Sequence, residues 1–343
     1  MKHINTLILI TLFKISLHAQ VSVTATAGTS NGSYTTLKAA IDAINAGTHK
    51  GNINIQITGN TTETAGISIN ASGNGSANYI SITIRPQGGV RNIAASFSGP
   101  LLTLNGCQNV TIDGEYNGGR GLTFSQNNQN NDDYALLFTN GASNNIVRYC
   151  DFRAGQSHKD RGVITLLANN STAIQNNIIE YNAVYHAPSY FPTNGIVAIA
   201  TDANGKVRNN KIQHNYIYNF YSPNKPTAGI RFDFSAASPN LSYDNKILYN
   251  RIYQTSPRNY SSDDTHRGIY LQGGGSYTVS NNVIGFSNGS GTGTYQMTTA
   301  NSKLLYRAIE MRDLDNVGTH LIESNTISNF YFETTSSENN AAG

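Results

Sequence analysis

The stretch Ile179-Glu180-Tyr181-Asn182-Ala183-Val184 returns as Ile212-Gln213-His214-Asn215-Tyr216-Ile217, Ile247-Leu248-Tyr249-Asn250-Arg251-Ile252, Thr278-Val279-Ser280-Asn281-Asn282-Val283 and Ile322-Glu323-Ser324-Asn325-Thr326-Ile327. An earlier copy, Val147-Arg148-Tyr149-Cys150-Asp151-Phe152, carries Cys150 in place of Asn. The closing apolar residues, Phe152, Val184, Ile217, Ile252, Val283 and Ile327, stand 32, 33, 35, 31 and 44 residues apart. A second phrase precedes the later copies: Gly195-Ile196-Val197-Ala198-Ile199-Ala200, Gly229-Ile230-Arg231-Phe232-Asp233-Phe234, Gly268-Ile269-Tyr270-Leu271-Gln272-Gly273 and Ala308-Ile309-Glu310-Met311-Arg312-Asp313. Gly162-Val163-Ile164-Thr165-Leu166-Leu167 fits the same template.

Two interleaved strand phrases in one register describe a solenoid, each turn of which holds several short strands pairing with the turns above and below. Parallel layers repeat at about 4.8 Å, so each interior side chain meets a like neighbour. This predicts a structural ladder of Asn182, Asn215, Asn250, Asn281 and Asn325 at the turns, because an amide both donates and accepts and Asn tolerates left-handed backbone. The long last interval is explained by an insertion from Gly285 to Ala300, expected as an exposed loop.

Working outward, Leu37, Ala40, Ile41 and Ile44 lie at helical spacing within Thr35–Asn45, and Gly47 follows as a stop. Short alternating runs follow at Ile53/Ile55/Ile57, Ile67/Ile69, Ile80/Ile82/Ile84, Leu102/Leu104 and Val110/Ile112, which read as strands. The composition suits this plan: 45 Asn and 32 Gly serve turns, 8 Pro spare the strand ladders, and 13% charge limits like-charge stacking between layers. Residues 1–19 read as a signal peptide, an apolar run from Ile4 to Leu17 broken by Lys14 and followed by Ala19. The run is shorter than the ~20 residues of a membrane span. Without Lys2 and Lys14 the 23 basic residues fall to 21, against 20 acidic ones, a balance that gives no reason to expect a nucleic-acid partner. Cys107 and Cys150 occupy different contexts in the repeat and read as two separate buried thiols. The domain plan is a signal peptide (1–19), an N-terminal cap with its helix at 35–45 (20–50), and an all-β parallel β-helix (51–343).

In this layout the chain resembles the right-handed parallel β-helices of the pectin-lyase-like superfamily. More narrowly, it is similar to the N-terminal region of large secreted or surface proteins of Bacteroidota. The likeness rests on Tyr34-Thr35-Thr36-Leu37-Lys38-Ala39-Ala40-Ile41-Asp42-Ala43-Ile44-Asn45, on Ile53-Asn54-Ile55-Gln56-Ile57-Thr58-Gly59-Asn60-Thr61-Thr62-Glu63-Thr64, and on Asn109-Val110-Thr111-Ile112-Asp113-Gly114. It implies secretion or an outer-surface location. A solenoid end without a capping element exposes core and strand edges, so a polypeptide continuing past Gly343 is expected.

Function is sought on the outer faces. Residues two and four places after the Gly of the second phrase are expected outward: Ile164 and Leu166, Val197 and Ile199, Arg231 and Asp233, Tyr270 and Gln272, Glu310 and Arg312. Asp263, Asp264, His266 and Arg267 join the charged half. Asp233, Asp264, His266, Glu310 and Arg312 are thus the candidate catalytic groups, on a strip whose first reading is a solvated sheet face and whose second is a sugar or polyanion site. Asp233 and Glu310, two layers and two residues apart, have backbones roughly 12 Å apart, whereas glycosidase carboxyl pairs sit about 5 to 9.5 Å apart. The clustered Asp motifs of polygalacturonase-like hydrolases and the Arg-x-x-Lys strand of pectate lyases are both missing. Arg231, Tyr270, Gln272 and an outward column of Tyr185, Tyr218 and Tyr253 are candidate ligand-binding residues, the column reading either as a stabilising ladder or as a carbohydrate surface. Tyr149, Tyr181, His214 and Tyr249 form another column, whose facing the turn leaves open. No metal or cofactor is called for. The expectation is a monomeric, secreted or cell-surface, non-catalytic β-helix, adhesin-like or binding an extracellular glycan, with a polysaccharide lyase or glycoside hydrolase as the alternative.

Overall fold

Alternating apolar residues build each coil from three short strands that stack into three long sheets, here called A, B and C. The structure is a computed structural model and describes residues 19–299 and 304–334. The expected signal peptide, apart from its last residue, and the chain end at Gly343 lie outside them. Among the described residues sheet A has eleven strands, sheet B nine and sheet C eight, and the chain visits A, B and C in turn. Nearly all neighbours are parallel; the antiparallel exceptions are Val21–Gly28 against its two partners in sheet A and a short hairpin, Glu115–Tyr116 with Gly119–Arg120. The chain folds as a parallel β-helix.

Inward columns run the length of the coil. In sheet A, Ile55, Ile84, Ile112, Val147, Ile179, Ile212, Ile247 and Val279 stack in register, all fully buried. In sheet B the column is Phe124, Phe152, Val184, Ile217, Ile252 and Ile284, with Phe124 and Phe152 stacked at 5.2 Å. Such columns give every layer the same contact partners, so burial is additive along the axis.

The single helix among the described residues, α1 (Leu37–Asn45), closes the N-terminal end, burying Leu37, Ala40, Ile41 and Ile44. Thr36 is its N-cap and accepts a bond from the Ala39 N–H. Glu63, on the first strand of sheet B and 2% exposed, accepts from the Leu37 and Lys38 N–H groups at 3.0 and 3.2 Å. A carboxylate there answers the positive helix end and fastens the cap to the first coil.

Four expectations are corrected. First, the asparagine ladder runs through Asn182, Asn215, Asn250, Asn282 and Asn325; Asn281 is not a member. Ile252 pairs with Ile284 rather than Val283, so the fourth copy begins one residue later than its sequence suggests. Second, the ladder residues are not the left-handed ones. That conformation falls on the residue before each: Tyr181, His214, Tyr249, Asn281 and Ser324, at φ +55° to +57°. Third, Ile164 and Leu166 face the core; Thr165 and Leu167 align with the outward Val197 and Ile199. Fourth, the insertion is only partly a loop: Tyr295–Thr299 forms a strand between Arg258–Tyr260 and Phe330–Thr334, with Tyr295 and Met297 fully buried. Its own alternation buries it.

A second ladder, at the turn from sheet C to sheet A, links Asn145, Asn177, Asn210 and Asn245 through bonds of 2.9 to 3.1 Å. Cys107 and Cys150 are free and buried, and burial pushes both thiols up, away from the reactive thiolate.

Candidate carbohydrate-binding cleft

The charged strip lies on the outer face of sheet C, where Arg231, Tyr270 and Glu310 align in one column and Asp233, Gln272 and Arg312 in the next. Its carboxylates are closed by resident guanidinium groups. Arg231 reaches Asp233 at 2.6 Å and Asp160 at 2.8 Å. Burial alone would raise the Asp233 carboxyl, but hydrogen bonds from Ser235 and the charge of Arg231 outweigh it and hold the group below its ordinary range. Glu310 is bound by both Arg267 and Arg307. Tyr270 lies between the Arg231 and Arg267 guanidinium groups, 5.2 and 4.4 Å from its ring centre, and its hydroxyl bonds Gln272. Arg312 is paired with Asp313 at 3.1 Å. Asp264 stands apart on the preceding turn and accepts from Ser262 at 2.6 Å.

His266 does not belong to this strip. It points inward, 1% exposed, bonded to Thr227 at 2.9 Å and packed on Tyr260 with ring centres 3.6 Å apart. Burial, with Arg267 nearby, pulls its pKa down to about 3. Simple alternation would set His266 on the side of Tyr270 and Gln272, but it breaks at Gly268, where a Cβ would point at the core residue Ile284 and Ile269 also faces inward. The imidazole therefore takes the core side and the Arg267 guanidinium the outer side. No group of three or more His, Cys, Asp or Glu among the described residues is arranged to hold a metal ion.

Tyr185, Tyr218 and Tyr253 do stack on the outer face of sheet B, with centroids 4.6 and 4.8 Å apart. Arg153 lies 5.0 Å over the first ring and donates to its hydroxyl, and Tyr253 is only 8% exposed. The ring faces of this column are filled by one another and by Arg153.

The second aromatic column is open. Tyr149, Tyr181, His214 and Tyr249 project from the turn between sheets A and B as parallel rings with centroids 5.0, 4.7 and 4.7 Å apart. Tyr181 is 37% exposed and Tyr249 49%. Their left-handed backbone sets their direction: at φ +52° to +56° the residue before the ladder Asn swings out of the sheet plane instead of continuing its alternation. That is why their facing could not be read from the repeat. Beside three of them lies a cavity of about 310 Å³, lined by Tyr181, His214 and Tyr249 and by Tyr216, Arg251 and Asn281, and Tyr149 continues the row beyond it. Among the described residues, the hydroxyls of Tyr181 and Tyr249 and the imidazole of His214 have no hydrogen-bond partner, and Arg251 has no ion pair. Gly289 packs against Tyr216, where a Cβ would fall 2.5 Å from the ring, and Arg120 lies 5.5 Å over that ring. Tyr216 and Arg251 carry a signal in the sequence: each immediately follows a ladder Asn and so begins a sheet B strand on its outward side.

No family model matches the chain. No curated protein matches it. Three solved structures follow a similar path. A PL6 family polysaccharide lyase of Pseudopedobacter saltans is 12% identical with a TM-score of 0.37, over 88% of this chain and 85% of that one. The surface protein and adhesin PfbA of Streptococcus pneumoniae is 13% identical with a TM-score of 0.34, over 87% of this chain and 94% of that one. ORF18 of Geobacillus virus E2 is 12% identical with a TM-score of 0.29, over 91% of this chain and 59% of that one. No helix among the described residues is long and apolar enough to cross a membrane.

Proposed function

We propose that this is a secreted or cell-surface β-helix that binds carbohydrate without cleaving it, through the cleft at the turn between sheets A and B. The observation that carries the reading is the open cleft of about 310 Å³, into which exposed Tyr181 and Tyr249, half-buried His214 and the Arg251 guanidinium project polar groups with no protein partner among the described residues. Sugars offer hydroxyls to such edges, and concave sites with a few convergent polar groups are where ligands bind. The charged strip supports the non-catalytic half of the reading. A glycosidase acid needs a carboxyl held protonated near neutral pH, whereas Asp233 is held ionised and Glu310 is clamped by two arginines.

The test is affinity electrophoresis of the purified protein through gels containing plant and bacterial polysaccharides, alongside assays for new reducing and unsaturated ends. Retardation in at least one gel, lost in Arg251→Ala, weakened in Tyr249→Ala and without new ends, is the expected result. Turnover abolished by Asp233→Ala or Asp264→Ala would overturn the reading, as would unretarded migration throughout.

A further inference from the structure

The two turns that flank sheet A make the same backbone demand and meet it differently. At the turn from C to A, the left-handed position before each ladder Asn is held by Asn144, Asn176, Asn209 and Asp244. These are the small polar residues that tolerate the conformation at little cost. At the turn from A to B the same position is held by Tyr149, Tyr181, His214 and Tyr249. A tyrosine there costs on the order of 1 kcal/mol, whereas His, like Asn and Asp, enters this region readily, and such strain gathers at functional positions. Ring stacking offsets part of it, about 0.5 to 1.5 kcal/mol per pair. Turn chemistry alone is satisfied by Asn, as the neighbouring turn demonstrates. The rings also stop abruptly: the next two coils return to Asn281 and Ser324. The aromatic stretch is therefore a bounded feature four layers long.

Its geometry limits what binds. Rings at 4.7 to 5.0 Å and within 6° of parallel cover one another's faces. A sugar therefore meets ring edges rather than stacking on a face. Those edges present hydroxyl, hydroxyl, imidazole and hydroxyl, one per layer, at a repeat of about 4.8 Å along the axis. A pyranose in an extended chain linked through equatorial β-bonds advances by nearly the same length. An α-linked chain curls away from a straight row. Building on the carbohydrate reading above, we propose that the cleft takes an extended β-linked glycan lying parallel to the solenoid axis, one sugar per coil, with its hydroxyls on the edges of Tyr181, His214 and Tyr249, its last residue beside Arg251 and its other end running past the cavity to Tyr149.

Calorimetric titration of the full chain with β-1,4-linked gluco-, xylo- and N-acetylglucosamine oligosaccharides from dimer to hexamer tests this, with α-1,4-linked gluco-oligosaccharides as the geometric contrast. Affinity in one β-linked series rises at least about tenfold from dimer to tetramer, the worth of one or two added hydrogen bonds, and then levels off. The α-linked series stays about tenfold weaker. Tyr249→Ala brings the plateau one sugar earlier. Tyr181→Phe, which keeps the ring stack and removes only a hydroxyl, weakens the tetramer by about threefold to tenfold. Equal affinity for α- and β-linked chains, no dependence on length, or a plateau unmoved by Tyr249→Ala would overturn the axial arrangement while leaving carbohydrate binding intact. Absence of binding by every series and every polysaccharide would remove both.

Discussion

Replacing Asn282 with alanine tests the frame of the ladder, because the neighbouring Asn281 is the residue that the sequence repeat favours. The Asn282 Oδ1 accepts from the Asn250 backbone N–H at 2.9 Å and from the Asn250 amide at 3.0 Å. Its own amide donates to the carbonyls of Ile247 and Ser280 at 2.9 and 3.2 Å and to Asn325 Oδ1 at 2.9 Å. After the substitution the Asn250 side chain still donates to the Ile212 carbonyl, but its backbone N–H, fully buried, has no acceptor. An orphaned buried donor costs about 1 to 3 kcal/mol and each lost bond a further fraction of about 1 kcal/mol, which gives a total near 3 kcal/mol. By contrast Asn281 sits at φ +57° and makes one side-chain bond, to Ser280 Oγ at 3.3 Å. Asn281→Gly should stay within about 0.5 kcal/mol of the parent, because glycine adopts that conformation without strain. Urea unfolding followed by far-ultraviolet circular dichroism measures both, and hydrogen exchange at the Asn250 amide locates the damage. The reasoning fails if Asn281→Gly costs as much as Asn282→Ala, or if the Asn250 amide keeps its protection in Asn282→Ala.

Three further outcomes are expected. Glu63→Ala should cost about 1 to 2 kcal/mol and loosen α1, since it strips the helix N-terminus of its carboxylate partner; exchange at the Leu37 and Lys38 amides reads this directly. His266 is neutral when folded and protonates more readily when unfolded, so the unfolded state takes up the extra proton. Its contribution is complete above pH ~6.5 and declines by roughly 1.4 kcal/mol per pH unit as pH falls toward the folded value of about 3. His266→Phe should flatten the stability profile across that window, and an unchanged slope would show that the imbalance lies elsewhere. Asp233 acts in the same direction at lower pH, its stabilisation present above the ordinary carboxylate range and lost as pH falls through its depressed folded value. On the outer face of sheet A, Asp113 bridges Arg85 and Arg148 at 3.0 Å each, with both arginines partly exposed. Asp113→Asn should cost about 1 kcal/mol at low salt and less at high salt; a loss independent of salt would argue against charge pairing.

Much of the fold was legible because burial alternates locally. The period of two in Ile53/Ile55/Ile57 and the helical stripe of Leu37, Ala40, Ile41 and Ile44 are set by which side of a strand or helix meets the core, and both recur in the structure. The ladder was legible in kind but slipped by one position at its fourth step. There Thr278 and Val279 offered two openings to the phrase, and only pairing with the coil below chose between them. The second ladder left a trace as well, an Asn-Asn or Asp-Asn pair five residues ahead of each of Asn182, Asn215 and Asn250, in segments that resembled plain loops.

The sequence alone determined the repeat, a coil of several short strands, the capping helix and most of the chemical groups on the outer strips. These depend on residues close in the chain, or on like residues returning at a near-constant interval. Only the tertiary structure decided which carboxylates are already answered by arginines, which side of its strand His266 takes, and which Tyr column stays open. Arg267 meets Glu310 one layer on and 43 residues later, and the left-handed turn that turns Tyr181 and Tyr249 outward is set by the ladder bond of the next residue to another coil. Such contacts join residues far apart in sequence, so a site made from them exists only once the coils have stacked.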